Sequence, residues 1–229
     1  MRMTVAVLAS AFVLSCPGIA QKKIELKTQV QKASYGIGMN IGKNLKEQFP
    51  EVDVNAMAMG LKDAIDGANP AVSDSEMAVV MKAFQEEMMK QRTEKSAVMS
   101  QKNKKEGEEF LAANKKKEGV ITLPSGLQYK VIKDAQGPKP TPKDTIVCNY
   151  KGSLIGGKEF DSSYKRGEPA TFVLGQVIPG WVEGLQLMSV GSKYEFYIPS
   201  NLAYGERGAG ADIGPDATLI FEIELLKIK

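Results

Sequence analysis

The sequence predicts an α+β chain. An all-α N-terminal region with a long stalk helix precedes an antiparallel β-sheet of about five strands wrapped around one short helix. Three observations carry this. Apolar residues recur at helical spacing from Val30 to Met88. No Pro interrupts the chain between Pro70 and Pro124. After Leu123 the texture changes to short runs that alternate at period two, separated by turns rich in Gly and Pro.

The first twenty residues stand apart. They hold one charge, Arg2, then an apolar run Val5–Leu14, then small residues. A run of this length is too short for a bilayer, which takes about 20 apolar residues, so residues 1–20 read as a secretory signal. Two processing sites compete. "GIA|QKK" puts Gly18 and Ala20 at the small-residue positions and leaves Gln21 first. "VLSC" would instead leave Cys16 first and acylated, although Leu14 fills a position that normally holds a smaller residue. The chain is thus read as exported, to the periplasm or the outer membrane.

Residues 21–72 form an N-terminal helical region. Val30, Ala33, Ile37, Ile41 and Leu45 share one helical face, and Pro50 marks a stop. "YGIGMNIG" also alternates at period two, but its flanks favour helix. Gly38 and Gly42 lie one turn apart and would admit a second backbone. A second helix places Val54, Met57, Leu61, Ala64 and Ile65 together and ends at "DGANP". "SDSE" at 73–76 is a capping-box pattern. It opens a long connecting helix over residues 73–118 with an early apolar stripe of Met77, Val80, Met81, Phe84 and Met88. Beyond Gln91 the stripe thins, and Lys104/Glu108 and Lys105/Glu109 stand at ion-pair spacing. A helix polar all round reads as a solvent-bridging stalk. So little helix buries few apolar groups within one chain, which points to a homodimer through residues 21–118.

Residues 119–229 form the sheet domain. "LQYKVIK", "TIVCNYKGSL", "ATFVL", "KYEFYI" and "TLIFEIELLKI" are its strands. In the last, Leu219, Phe221, Ile223 and Leu225 face one way while Glu222 and Glu224 face the other. "WVEGLQLM" is the helical piece, with Trp181, Leu185 and Met188 on one side. Cys148 falls in phase with Ile146 and Tyr150 and reads as a small buried hydrophobe.

Composition removes whole classes of chemistry. The chain has no His, which excludes Ser-His and Cys-His nucleophile systems, His metal sites and His general bases. A net charge of +3, or +2 without Arg2, gives no argument for nucleic acid. No Gly-rich phosphate loop opens a helix and no carboxylates cluster at metal spacing, so no cofactor is expected.

The C-terminal stretches "LPSGLQYKVI", "FDSS", "VIPGW", "EGLQLMSVG", "AYGERG" and "ATLIFEIELL" resemble the FKBP-type peptidyl-prolyl isomerase domain, in the family's order and spacing. "YGIGMNIGKNL", "AMAMGLKDAIDGA" and "GEEFLAANKKKEGV" resemble a narrower group, the macrophage infectivity potentiator-like periplasmic isomerases. The resemblance implies an FKBP-like fold and catalysed rotation of X–Pro bonds in unfolded or partly folded polypeptides. It implies catalytic roles for Asp161 and Tyr204. It implies a pocket of Tyr150, Phe160, Val177, Ile178, Trp181 and Phe221, with Trp181 beneath the prolyl ring. Arg166 would sit beside Asp161, Ile213 on an overhanging hairpin loop, and the Ile178 amide would bind a substrate carbonyl. Taken singly, each is an ordinary core or loop residue; the set is what suggests a small, mostly apolar site. Rapamycin-like macrolides would enter the same pocket. Ala170 stands where some members carry an aromatic and "GAGAD" is a slim loop tip, so a more open rim is expected. Competing readings are a dimeric chaperone in which isomerisation is incidental, and an adhesin that borrows the fold.

Overall fold

The structure is a computed structural model that describes residues 25–49 and 52–229. The signal reading, Cys16 and Pro50 lie outside the described residues. The chain divides between Asp74 and Ser75 into two compact units.

The first unit holds α1 (Gln29–Gln48) and α2 (Val54–Asp66). Thr28 and Gln31 form a reciprocal capping box that starts α1. The Asp53 carboxylate accepts from the Asn55 and Ala56 amides to start α2, and Gly67 at φ +65° ends it. The apolar faces form as the periodicity predicts, but they stay open: Val30, Ile37, Leu61 and Ile65 are exposed. Nothing lies within 4 Å of a Cβ placed at Gly38 or Gly42.

The second unit begins with α3 (Asp74–Asn114), which starts directly behind Ser73 and at 41 residues runs about 60 Å. Its C-terminal half is not the free stalk that its polarity suggested. Asn103 donates to the Pro215 carbonyl (2.7 Å), and the Ser100 hydroxyl to Asp216 (2.6 Å). Asn114 donates to Gln128 (3.0 Å), which donates in turn to the Leu111 carbonyl (2.9 Å). A Cβ at Gly107 would come within 2.3 Å of the Thr218 hydroxyl, so only glycine lets the helix lie this close. The docking stripe mixes small and polar residues with only Met99 and Phe110 as large apolar contacts, so hydrophobic periodicity reveals it poorly. Lys104 leaves its expected partner Glu108 and turns to Asp216 (3.5 Å) and Glu206 (3.6 Å).

The sheet contains β1 (Val120–Thr122), β2 (Gln128–Lys133), β3 (Thr145–Leu154), β4 (Glu159–Ser162), β5 (Ala170–Val173), β6 (Lys193–Ile198) and β7 (Leu219–Ile228). Its order is β1-β2-β6-β7-β3-β4, all antiparallel. β5 pairs with β3 on the same edge as β4, along the earlier part of the strand. Setting aside the three-residue β1, five strand positions cross the sheet. The two short helices are α4 (Ser163–Arg166) and α5 (Pro179–Leu185).

α5 packs on the concave face. Gly180 and Gly184, one turn apart, let its backbone approach Ile198 and Phe196, which a Cβ would meet at 2.4 and 2.5 Å. Trp181, Leu185 and Met188 join Phe196, Leu219, Ile223 and Leu225 in one core. Alternation is strict along β7 but fails at the end of β6, where Tyr197 is buried as well as Phe196 and Ile198. The cause is α3, whose Phe110 ring lies 5.9 Å from Tyr197 and covers the outer face there. Cys148 is fully buried and burial pushes its thiol up to about 12, which fits a packing role.

Candidate active site

The site stands where α5, β3, β4, β7 and the 205–213 segment converge. Pro179 at the first position of α5 fixes the helix start, and Ile178 precedes it. The Ile178 amide donates to no protein acceptor among the described residues. Trp181 follows on the buried side and is 5% exposed. Phe172, Phe221 and Tyr150 meet the indole edge-on, with centroids at 5.5, 5.2 and 5.3 Å. Phe160 meets Phe221 edge-on at 5.5 Å. Such edge-to-face contacts hold the rings in one arrangement and strengthen their packing. Gly152 makes room for them. In register it lies between Asp161 on β4 and Phe221 on β7, and a Cβ there would collide with both Phe160 and Phe221.

The rings enclose a concavity of about 540 Å³. Tyr150, Phe160, Asp161, Val177, Ile178, Trp181, Tyr204, Ile213 and Phe221 all line it. Arg166, which the resemblance counts among the substrate-binding residues, is not on the lining and donates to Asp161. Phe172 and Gln176 also line it, and sequence reasoning missed them. For Phe172 a signal was present: it shares a strand face with Ala170, two residues earlier. Ala209 and Ile213 bridge each other by paired hydrogen bonds and form the hairpin loop at the rim. Gly208 at φ +65° makes the turn into it, where a Cβ would strike the Ile213 carbonyl at 2.3 Å.

The polar groups form one fixed cluster. Tyr150 donates its hydroxyl proton to Asp161. Arg166 donates to the other Asp161 oxygen and, at 2.7 Å, to the Tyr150 oxygen. The Ser162 amide also donates to Asp161, at 2.8 Å. Arg166 can reach because α4 begins immediately after β4. Ser163, fully buried, anchors that turn by accepting from the Tyr150 amide (2.9 Å). Partial burial alone would raise the Asp161 carboxyl. Hydrogen bonds from Tyr150 and Arg166, together with the guanidinium charge, outweigh it and hold the group below the ordinary carboxylate range. Burial first, then the bond to Asp161, pushes the Tyr150 phenol up to about 12. The proton thus stays on Tyr150 and the charge on Asp161. Tyr204, whose phenol is raised by burial and then by the Asp161 charge, makes no hydrogen bond to protein among the described residues.

The arrangement offers apolar walls, a fixed anion, a free hydroxyl and a free amide. It offers no activated nucleophile and no group that changes charge near neutral pH. Among the described residues, no group of three His, Cys, Asp or Glu side chains could hold a metal ion, and no helix is long and apolar enough to cross a membrane.

Comparison with known proteins agrees with this architecture. A family profile described as "Domain amino terminal to FKBP-type peptidyl-prolyl isomerase" matches residues 30–131. A second, "FKBP-type peptidyl-prolyl cis-trans isomerase", matches residues 137–226. The chain is 43% identical to the "Outer membrane protein MIP" of Legionella longbeachae, over 99% of this chain and 97% of the relative. It is 46% identical to the FKBP-type 22 kDa peptidyl-prolyl cis-trans isomerase of Escherichia coli, over 86% of this chain and 94% of the relative. Among solved structures, FkpA from Escherichia coli superposes with a TM-score of 0.66 at 38% identity, covering 90% of this chain and 99% of that one.

Proposed function

The chain belongs to the FKBP-type peptidyl-prolyl cis-trans isomerases, and we propose that it turns the X–Pro bond in the concavity above Trp181. It is an enzyme whose substrates are proline-containing polypeptides. The observation that carries the assignment of the site is the closed set of rings around Trp181, with one anionic cluster at its rim.

The uncatalysed bond turns slowly because a barrier of about 18–20 kcal/mol reflects lost amide resonance. The planar amide is the more dipolar form, and water solvates it well. As the bond twists, charge leaves the carbonyl oxygen and the nitrogen becomes pyramidal. Phe160, Phe221, Trp181 and Val177 exclude water and so favour the less dipolar twisted form over the planar one. The Tyr204 hydroxyl and the Ile178 amide hold the substrate carbonyls on either side, so that only the prolyl bond rotates. Asp161 fixes Tyr150 and Arg166, and through them the shape of the wall. No covalent bond forms and no proton moves, which is why a chain without His suffices.

α1 and α2 leave their apolar faces exposed, and helices in proteins draw most of their stability from packing such a face. A second copy of the chain covers them, giving a homodimer through residues 21–118. A rapamycin-like macrolide occupies the same concavity and competes with substrate. The chain is exported, to the periplasm or the outer membrane; the signal-like residues 1–20 and the name of the Legionella relative support this.

The test is turnover of a short X–Pro peptide by the full chain beside Tyr204→Phe and Asp161→Leu. Both variants should lose about tenfold or more in kcat/KM. Asp161→Leu should lose far more turnover than denaturant midpoint. Full activity in both variants would remove the site from the reaction, and equal losses in turnover and stability would make Asp161 structural only.

A further inference from the structure

A second and larger concavity, of about 830 Å³, lies between α3 and the sheet domain. Val98 and Met99 of α3 line one side, Leu154 at the end of β3 and Ile155 just after it the other, with Ala217 from the segment before β7. Ala211 and Asp212, on the hairpin loop, line this groove and the prolyl concavity alike. One loop therefore separates two open, mostly apolar sites.

The groove is preformed. α3 is pinned beside it by the bonds from Ser100 to Asp216 and from Asn103 to the Pro215 carbonyl. Met99 packs on Gly214, where a Cβ would lie 2.7 Å from its sulfur. Val98 and Met99 nevertheless remain 69% and 49% exposed. Beyond Gln91 they are the large apolar side chains of α3 that stay open to solvent. The lining carries charges of both signs, with Lys95, Lys102 and Lys158 against Glu94, Glu106 and Asp212. Lys158 and Asp212 neutralise each other at 2.8 Å beside the shared loop. A balanced rim selects neither an anion nor a cation, and the apolar lining suits a neutral, hydrophobic occupant.

We propose that this groove binds an extended apolar stretch of the same client polypeptide whose proline sits above Trp181. The proposal rests on the prolyl-site reading and extends it. A four-residue peptide spans about 13 Å and engages the prolyl site alone. An unfolded protein continues past the proline, crosses the hairpin loop at Ala211 and Asp212, and lays apolar side chains against Val98 and Ile155. The groove then raises affinity for long, hydrophobic substrates without touching the rotating bond, so its contribution appears in KM.

The test uses the full chain with Val98→Glu and Val98→Ala, at an exposed position outside the prolyl site. Two substrates are compared: a four-residue X–Pro peptide, and a reduced, alkylated protein whose refolding waits on one prolyl bond. With the peptide, kcat/KM should stay within about twofold of the parent for both variants. With the protein, Val98→Glu should lose about fivefold in kcat/KM, through KM, and Val98→Ala less. A photo-crosslinking benzoylphenylalanine at position 98 should capture the unfolded protein. Unchanged kcat/KM on the protein would overturn the proposal. So would an equal loss on both substrates, or cross-links formed only to a second copy of the chain. A parent chain inactive on the short peptide would instead overturn the prolyl-site reading itself.

Discussion

Along β7 every second residue from Leu219 to Leu225 is buried, whereas no residue of α2 is buried although Met57, Leu61 and Ile65 recur on its face just as regularly. The two elements carry equally clear patterns with opposite outcomes. A pattern states which face needs cover, not what supplies it. For β7 the cover is α5, folded onto it by the same chain. For α1 and α2 the single chain supplies none among the described residues. The sheet domain covers its own pattern, while the open faces of α1 and α2 are what the proposed association would cover.

The sharpest way to break this contrast is Trp181→Ala. Removing a ring packed against Tyr150, Phe172 and Phe221 should cost the sheet domain about 3–5 kcal/mol. In a urea titration the domain's transition should move to lower denaturant, while the helical signal of residues 25–74 keeps its own midpoint. Next, Leu61→Glu places a charge on the face that the proposed dimer would cover, which would forfeit about 2–3 kcal/mol of burial. Sedimentation should report monomers, and the sheet domain's urea midpoint should not move. Gly107→Leu tests the join between α3 and the domain. Its side chain meets Thr218, and the overpacking should cost about 1–3 kcal/mol, with faster amide exchange at Asn114 and Gln128.

The smallest effect concerns pH. Asp161 is held below the ordinary carboxylate value of about 3.9. Its bonds to Tyr150 and Arg166 are therefore fully present above that value and are lost as pH falls through the lower, folded one. Tyr150 keeps its proton until about 12. Turnover of a short peptide should then be flat from about pH 5 to 9 and fall only in stronger acid. A bell-shaped profile centred near neutrality would show a proton transfer that the site does not provide.

Much of the sheet domain was legible because its residues obey local rules. Ile146, Cys148 and Tyr150 alternate inward, the Pro-Gly pair opens α5, and the β7 pattern is uninterrupted. The pocket set was legible only through family resemblance, since Phe221 or Ile178 alone reads as core. What stayed hidden is instructive. β1 and β4 are too short to show a period. Phe172 was passed over in favour of Ala170, its neighbour on the same face. The docked half of α3 was read as a free stalk because Ser100, Asn103, Gly107 and Asn114 hold the domain by hydrogen bonds and close backbone approach, and Met99 and Phe110 alone are too sparse to make an apolar stripe. Strict alternation along β6 would put Tyr197 on the outer face, and nothing local to that strand shows that Phe110 of α3 covers it there.

The most direct measurement is prolyl isomerisation by residues 93–229, which keep the docked part of α3 and the whole sheet domain while discarding α1, α2 and the early α3 stripe. Expected is a monomer that turns over a short X–Pro peptide with kcat/KM within about twofold of the full chain, unaffected by protein concentration. A folded fragment with no turnover, regaining activity only when the N-terminal helices are restored, would contradict a self-sufficient site above Trp181.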